Sequence, residues 1–195
     1  ETAARVAVNR IWLHLFGRGL VETPNDFGVR TPPPAIPGAL DDLAYRFMAG
    51  HWSTKAIVRE LVLSSTYRQS SEARADAAIP DPNNDLLHAM RRRRLDFESL
   101  RDTMLFAAGR LEETIGGRPV DLTKTPFTNR RSVYGYIDRQ DLPSVFRFFD
   151  FANPDISTGQ RFQTSVPQQA LFLLNSDFVK SVAESLARSA PVQGS

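Results

Sequence analysis

The chain has 195 residues, of which 42% are hydrophobic and 24% charged, which is the composition of a globular protein and excludes a disordered one. Its 24 Lys and Arg residues against 22 Asp and Glu residues give a net charge of only +2, which argues against nucleic-acid binding. Because the chain has no cysteine, disulfides, thiolate metal sites, cysteine nucleophiles and covalent haem attachment within it are excluded.

The first 70 residues predict a set of amphipathic helices. Apolar residues recur at helical spacing in segments 8–16, 40–48 and 57–62. This spacing places them on one face of each helix, which is expected to be buried. Gly17 ends the first helix, and Ser53 caps the third. The loop between the first two helices contains the prolines of residues 32–34, which require an extended backbone.

The middle of the chain predicts a loop followed by the longest remaining helix. Residues 64–84 are polar and contain two prolines, which is typical of a surface loop. Asp85 begins a short helical turn, and Asp96 caps a helix that ends before the glycine pair at 116–117. A long helix is therefore expected in this region.

The last third of the chain predicts short elements in an irregular order. Residues 132–138 alternate in polarity, which fits a short strand. Ser165 and Gln168 form a capping box that begins a helix over residues 166–174. That helix is apolar on nearly all sides, so we expect it to be buried and to be followed by a final amphipathic helix.

Together these elements predict a mainly α fold, an irregular helical domain of about six to seven helices with one or two short strands. We expect a single domain over residues 1–195, made of N-terminal helices, a long helix and an irregular C-terminal segment with the last helices, at residues 1–70, 85–115 and 130–190. The chain opens with Glu1 inside a predicted helix, without an initiator Met, so we expect it to be excised from a larger multidomain protein. No apolar run approaches the roughly 20 residues that cross a bilayer, so no transmembrane segment is expected.

The residues best suited to catalysis or binding lie in a strip at 134–161, which mixes aromatics, arginines and aspartates. Asp138, Asp150 and Asp155 are the candidate catalytic residues, because glycosidic chemistry uses a pair of carboxylates as acid and base. The same aspartates fit turn and capping roles in which arginines hold them. Spacing along the chain does not give their separation in space, so whether the protein is an enzyme stays open.

Four residues are candidate binding groups. Tyr134 combines a ring for stacking with a hydroxyl for hydrogen bonding, whereas Arg139 and Arg161 are suited to sulfate or carboxylate groups. Arg101 falls on the apolar face of the long helix, where an aliphatic residue is expected. A buried guanidinium is costly unless it is paired, so we expect a carboxylate partner, either Glu98 or an aspartate from another segment.

Two other groups of residues are possible sites. The run at residues 91–94 is four consecutive arginines, which fits either a polyanion clamp or a helix end. At a helix end the arginines would pair with Asp96, Glu98 and Asp102 or face water. The second interpretation is favoured, because carboxylates follow at once. The only histidines, His14, His51 and His88, lack the spacing of metal ligands, so no metal site is predicted.

Six blocks of sequence resemble a known family in the order in which that family presents them. They are NRIWLHLFGRGLVETPNDFG, LSSTYRQSS, RRRLDFESLRD, GGRPVDL, RRSVYGYIDR and QRFQTSVPQQALFLLNS, at residues 9–28, 63–71, 92–102, 116–122, 130–139 and 160–176. The blocks are similar to the C-terminal domain of large planctomycete-type cytochrome-c proteins, known as domain of unknown function 1553. One position departs from that pattern: residues 35–38 read Ala-Ile-Pro-Gly where the family usually has Ser-His-Pro-Glu, so no role of that histidine is carried over.

The resemblance implies an exported protein, periplasmic or otherwise extracytoplasmic, with a c-type haem in an upstream domain and no cofactor within this chain. It also implies a connection with the use of complex, often sulfated, polysaccharides. We therefore expect a non-catalytic or co-catalytic helical module whose partners are the upstream domains and sulfated or acidic polysaccharide. The alternative is a carbohydrate-active enzyme domain that uses the aspartates and arginines of the strip at 134–161.

Overall fold

The computed structural model describes residues 1–72, 76 and 79–189, and these residues are mainly helical, as predicted. They form eight α-helices: α1 Thr2–Phe16, α2 Ala39–Ala49, α3 Thr54–Leu63, α4 Ser65–Arg68, α5 Phe97–Ala107, α6 Ser144–Phe148, α7 Pro167–Asn175 and α8 Asp177–Ser189. A 3-10 helix spans Ser132–Tyr134. Within the described ranges no helix is long and apolar enough to cross a membrane.

The contacts between residues group the chain into two compact units. Unit 1 is Glu1–Arg93, and unit 2 is Arg94–Ser195. The prediction of one domain over the whole chain stays a prediction, and the two units are described separately.

Unit 1 is built on one face of α1. Val8, Trp12 and Phe16 recur on that face and are buried, because their spacing places them on one side of the helix. Gly17 ends α1 with a φ of 81°, and its N–H donates to the carbonyl oxygen of Leu13 at 2.8 Å. Buried side chains of α2 and α3 complete this core, namely Leu40, Leu43, Ala44, Phe47, Ile57 and Leu61.

A buried amide fastens the segment after α1 to that helix. The Asn9 side chain donates to the carbonyl oxygen of Val21 at 2.9 Å and accepts from the Val21 N–H at 2.9 Å. Asn9 has no solvent-exposed surface, so these two bonds replace the water that its amide loses. The chain therefore turns back along α1 with Leu20 and Val21 buried in the same core.

The segment after α3 differs from the prediction in two ways. The short helix α4 lies where a loop was expected, and Ser64 caps it through the N–H of Tyr67 at 3.2 Å. The predicted helical turn that begins at Asp85 is wrong, since this segment is an irregular loop. The Asp81 carboxylate accepts from the backbone N–H groups of Leu86 and Asp85, and the first of these bonds is the main cause of a lowered Asp81 pKa.

Unit 2 contains two smaller apolar clusters along α5. The first joins Phe97 to four buried residues from the loops and from the region of α6, namely Leu122, Leu142, Phe146 and Phe149. The second joins the end of α5 to α8 through Leu105, Ala108, Phe178 and Val182. Phe172 of α7 is partly buried and packs against both clusters. As predicted, Asp96 caps α5, and it accepts from the N–H of Ser99 at 2.8 Å.

The strand predicted at 132–138 is wrong. The Ser132 N–H donates to the carboxylate of Asp102 at 2.8 Å, so it cannot enter a β-ladder. The chain then forms the 3-10 helix and pairs only once, when Val120 exchanges backbone hydrogen bonds with Tyr134 and Tyr136. Among the described residues, β-pairing is limited to this bridge and a second one between Glu112 and Arg130.

The burial predicted for the apolar helix near residues 166–174 is also wrong. Leu171 is 54% exposed and Leu174 is 73% exposed, because α7 turns only Phe172 and Gln169 toward the rest of unit 2. The helix begins at Pro167, one residue later than predicted. Its capping side chain is accordingly Gln169 and not Gln168, and its Oε1 accepts from the N–H of Val166 at 3.3 Å.

Candidate functional site

A cleft of about 490 Å³ in unit 2 collects the predicted charged residues. It lies between the loop around α6 and the segment that leads to α7. Four residues that the sequence singled out line it, namely Arg139, Asp150, Asp155 and Arg161. Arg147 of α6 also lines it and was not predicted, because it reads as an ordinary exposed residue of a short helix.

Arg161 is fixed in one wall of the cleft by a carboxylate outside it. Its two terminal nitrogens donate to the two carboxylate oxygens of Glu98 at 2.9 and 2.8 Å, a bidentate pair. These hydrogen bonds raise the pKa of Arg161. The guanidinium also lies over the ring of Phe151, with its central carbon 4.5 Å from the ring centroid. Arg161 therefore contributes a positive charge held in place.

Asp150 is fixed in the same way in another part of the wall. Its carboxylate accepts from the N–H of Thr164 at 2.8 Å and from the hydroxyl of Thr164 at 2.7 Å. The Arg94 guanidinium approaches the same carboxylate at 3.3 Å. Asp150 has a φ of 56°, a left-handed conformation that aspartate tolerates better than most residues. Its side chain is 15% exposed, so most of its hydrogen-bonding capacity is used within the protein.

Three charged side chains of the cleft have no partner among the described residues. They are Arg139, Arg147 and Asp155, and all three residues are exposed. The backbone N–H of Asp155 donates to the side-chain oxygen of Asn153 at 3.0 Å, which shapes the turn and leaves the Asp155 carboxylate unbound. The cleft thus offers two free guanidiniums and one free carboxylate to a ligand.

Asp138 does not line the cleft. Its Oδ1 accepts from the N–H of Gln140 at 2.9 Å, which is a local turn contact. The three candidate aspartates therefore occupy three different environments: a turn outside the cleft, a tied position in its wall, and a free position within it.

A family model described as "PSD1: Protein of unknown function (DUF1553)" matches residues 1–194. The chain belongs to this family. No curated protein and no solved structure is significantly similar to it. The cytochrome and planctomycete associations of the resemblance stay predictions.

In this PSD1 family member, Tyr134 lies outside the cleft and has structural contacts. Its hydroxyl accepts from the N–H of Gly116 at 2.9 Å. The guanidinium of Arg130 lies over its ring, with the central carbon 4.4 Å from the centroid. Arg130 in turn donates to the carbonyl oxygens of Arg118, at 2.9 Å, and of Gly116. Tyr134 and Arg130 together hold the loop around residue 116.

Arg101 is buried, as predicted, but with different partners. Its side chain is 1% exposed, and burial lowers its pKa. It donates to the backbone carbonyl oxygens of Arg130, at 2.9 Å, and of Thr128, and to the hydroxyl of Ser132 at 3.2 Å. A carboxylate partner is present, as expected, but it is neither Glu98 nor an aspartate from another segment: it is Asp102 of the same helix, at 3.6 Å. Glu98 is unavailable because Arg161 occupies both of its oxygens.

The arginines at 91–94 bind separate groups and not the predicted carboxylates. Their segment has no helix or strand, so the predicted helix end was wrong. Within unit 1, three of them bind separate groups, namely the carbonyl oxygen of Asn84 at 2.8 Å, the hydroxyl of Ser71 at 3.4 Å and the carbonyl oxygen of His14 at 2.6 Å. Within unit 2, Arg94 binds Gln169, Thr164 and Asp150.

Two further features of the PSD1 chain bear on possible sites. Among the described residues no three His, Asp or Glu side chains are placed to hold a metal ion together. Unit 1 has a cleft of about 250 Å³ beside Trp12 and the proline loop. Arg18 binds both Glu22 and Asp85 there, so the opposite charges of that cleft largely satisfy one another.

Proposed function

We propose that this chain is a non-catalytic, ligand-binding helical module of a larger exported protein that takes part in polysaccharide utilisation. The observation that carries the proposal is the set of unpartnered charges in the unit 2 cleft: Arg139, Arg147 and Asp155. Two guanidiniums suit the anionic groups of a sulfated or acidic polysaccharide, since guanidinium matches carboxylate and sulfate oxygens in charge and geometry.

The carboxylates favour binding over catalysis. Glycoside hydrolysis ordinarily needs two carboxylates on opposite sides of the bond that breaks. Asp138 is outside the cleft, and Asp150 is engaged by Thr164 and Arg94. Asp155 is therefore left without a free second carboxylate.

The wider setting of the module rests on the sequence resemblance. We propose that upstream domains of the same polypeptide carry a c-type haem and that the whole protein is periplasmic or otherwise extracytoplasmic. In this arrangement the module supplies a carbohydrate contact and the haem domain supplies redox chemistry, and nothing in the proposal requires a cofactor within residues 1–195.

The alternative function is a carbohydrate-active enzyme. The observation that favours it is that Asp150 and Asp155 line the same cleft. In that case a substrate would have to displace Thr164 from Asp150 and free its carboxylate.

The test combines binding and turnover on one panel of neutral, carboxylated and sulfated oligosaccharides. We expect saturable NMR shifts at cleft residues with the anionic members, and no release of reducing ends or of sulfate. Turnover that disappears in Asp155→Asn would overturn the non-catalytic assignment and establish the enzyme alternative. An absence of binding to every member would overturn the carbohydrate assignment.

A further inference from the structure

The balance of free charge in the unit 2 cleft specifies more than an anion. Three arginines and two aspartates line it, and two of these five are held by partners outside the lining: Arg161 by Glu98, with Asp96 at 4.0 Å, and Asp150 by Arg94. The free groups are two guanidiniums and one carboxylate, which leave one net positive charge for a ligand to neutralise. A ligand with one negative charge meets that demand.

We propose that the cleft is a binding site for a sugar unit that carries a single anionic group, a hexuronate or a sugar monosulfate. Arg139 and Arg147 bind the anionic group, and the Asp155 carboxylate accepts hydrogen bonds from sugar hydroxyls. The inference rests on the proposed function in one respect, that unit 2 binds carbohydrate. The inference adds the charge of the ligand, its polar groups and the residues that bind those groups.

Asp155 is the specificity-determining residue of this site. A carboxylate has no hydrogen-bond donor, so Asp155 selects a ligand with hydroxyl donors. It also repels a ligand of high charge density, which disfavours polyanions and nucleic acid. A neutral sugar donates hydrogen bonds to Asp155 but leaves both guanidiniums without an anion. Inorganic sulfate pairs with the guanidiniums but offers no hydroxyl donor to Asp155.

The walls are held in place before a ligand binds. The bidentate pair between Arg161 and Glu98 fixes one wall, and the two bonds between Asp150 and Thr164 fix another. Groups held by such contacts need little further ordering, which lowers the entropic cost of binding. The ring of Phe162, which is 76% exposed, adds apolar surface for the face of a sugar ring.

The size of the cleft agrees with this ligand. Its volume of about 490 Å³ lies within the roughly 300–1,000 Å³ that small-molecule sites occupy. One or two sugar units fit in that space, while the open side allows a longer chain to continue into solvent.

The first test compares four ligands on the wild-type chain by NMR titration: glucuronate, glucose 6-sulfate, glucose and inorganic sulfate. We expect the two anionic sugars to bind at least about tenfold more tightly than glucose or sulfate, since hydrogen bonds to charged groups are worth about 1.5–3 kcal/mol, or roughly ten- to hundredfold. Binding of glucuronate alone assigns a carboxylate site, and binding of both assigns the shared anion chemistry. Equal binding of glucose and glucuronate would overturn the proposal.

The second test separates the roles by substitution. Arg139→Gln and Arg147→Gln should each weaken glucuronate binding about tenfold or more, while Arg131→Gln, an exposed unpartnered arginine outside the cleft, should leave it unchanged. Asp155→Ala should weaken glucuronate binding and strengthen inorganic sulfate binding. The affinities for the two ligands should therefore become more similar. If Arg139→Gln and Arg147→Gln bind glucuronate as tightly as Arg131→Gln does, the assignment of these arginines to the anionic group fails. If Asp155→Ala keeps the wild-type ratio of glucuronate affinity to sulfate affinity, the assignment of Asp155 to the sugar hydroxyls fails.

These failures differ from failure of the proposed function. Turnover of a bound sugar would overturn the non-catalytic assignment and leave the ligand assignment intact. Binding of neutral oligosaccharides that is insensitive to Arg139→Gln would keep the module carbohydrate-binding and overturn the monoanionic ligand.

Discussion

Unit 1 has one continuous apolar core between α1, α2 and α3, whereas unit 2 has two small clusters and many arginine contacts. In unit 1 the long helices satisfy their own backbone groups, and side chains mainly contribute packing. In unit 2 long stretches lack helix and strand, so their carbonyl oxygens need other donors. Arg94, Arg101 and Arg130 supply many of those donors.

The difference shows how an irregular segment can be well ordered. A guanidinium has five N–H donors in a rigid fork, so one side chain can bind two or three carbonyl oxygens from separate loops. The same property accounts for the candidate site in unit 2: several arginines there hold the loops in place, and Arg139 and Arg147 have no partner among the described residues and line the cleft. Substitutions in each unit test this contrast.

The largest expected effect is that of Arg101→Met, which should lower the free energy of unfolding by about 4 kcal/mol. Removing a buried charged donor leaves the carbonyl oxygens of Arg130 and Thr128 without a partner, at a cost typical of broken buried ionic contacts. Urea unfolding followed by far-ultraviolet circular dichroism measures the change. The free energy of unfolding of Arg131→Met, an exposed control, should stay within about 0.5 kcal/mol of the wild-type value. A loss below about 1 kcal/mol for Arg101→Met would show that packing alone holds unit 2.

The corresponding change in unit 1 is Asn9→Ala, with an expected loss of about 3 kcal/mol. It leaves the N–H and carbonyl oxygen of Val21 buried and unpaired, each at a cost of about 1–3 kcal/mol. Both tryptophans, Trp12 and Trp52, lie in unit 1, so tryptophan fluorescence during urea unfolding reports on this unit. Arg59→Ala on the exposed side of α3 is the control, and an Asn9→Ala protein as stable as that control would contradict the role of the amide.

A smaller effect is expected at the helix caps, where the two units can be compared directly. Asp96→Ala should cost about 1 kcal/mol, and Ser53→Ala should cost less. The Asp96 contact is shorter, 2.8 Å against 3.3 Å, and its negative charge also interacts with the positive end of the α5 dipole. Thermal or urea unfolding of both variants gives the order, and a larger loss for Ser53→Ala would reverse the reasoning.

The smallest expected effect is a pH dependence from Asp121 in unit 2. The N–H of Thr123, its hydroxyl and Lys124 lower the Asp121 pKa from 3.8 to about 2. Because the folded pKa is lower than the unfolded one, this stabilisation is fully present well above pH 3.8 and is lost as the pH falls toward 2. The side chain is 40% exposed, so solvent screening reduces the effect below the others.

Asp121→Asn provides the measurement for this prediction. The difference in unfolding free energy between wild type and Asp121→Asn should shrink as the pH is lowered from 5 to 2. A difference that stays constant over that interval would show that the carboxylate has an ordinary pKa in the folded protein.

Local chemistry accounts for the features that the sequence predicted correctly. The spacing of Val8, Trp12 and Phe16 is enough to predict α1 and its buried face, and the caps Ser53 and Asp96 follow from neighbours three residues away. The burial of Arg101 was predictable for the same reason, since helical periodicity places it on an apolar face. Such signals involve residues within one or two turns of each other.

The features that only the tertiary structure decided depend on contacts between distant segments. Ser132 leaves the expected strand because Asp102, thirty residues earlier, takes its N–H. Glu98 binds Arg161 and not Arg101, and Asp150 binds Thr164, so the free charges of the cleft are those that remain after these pairings. The sequence by itself determined the longer helices, the caps Ser53 and Asp96, and the supply of arginine and aspartate. Which charges stay free to bind a ligand is decided by folding, because each pairing depends on distances that chain order does not contain.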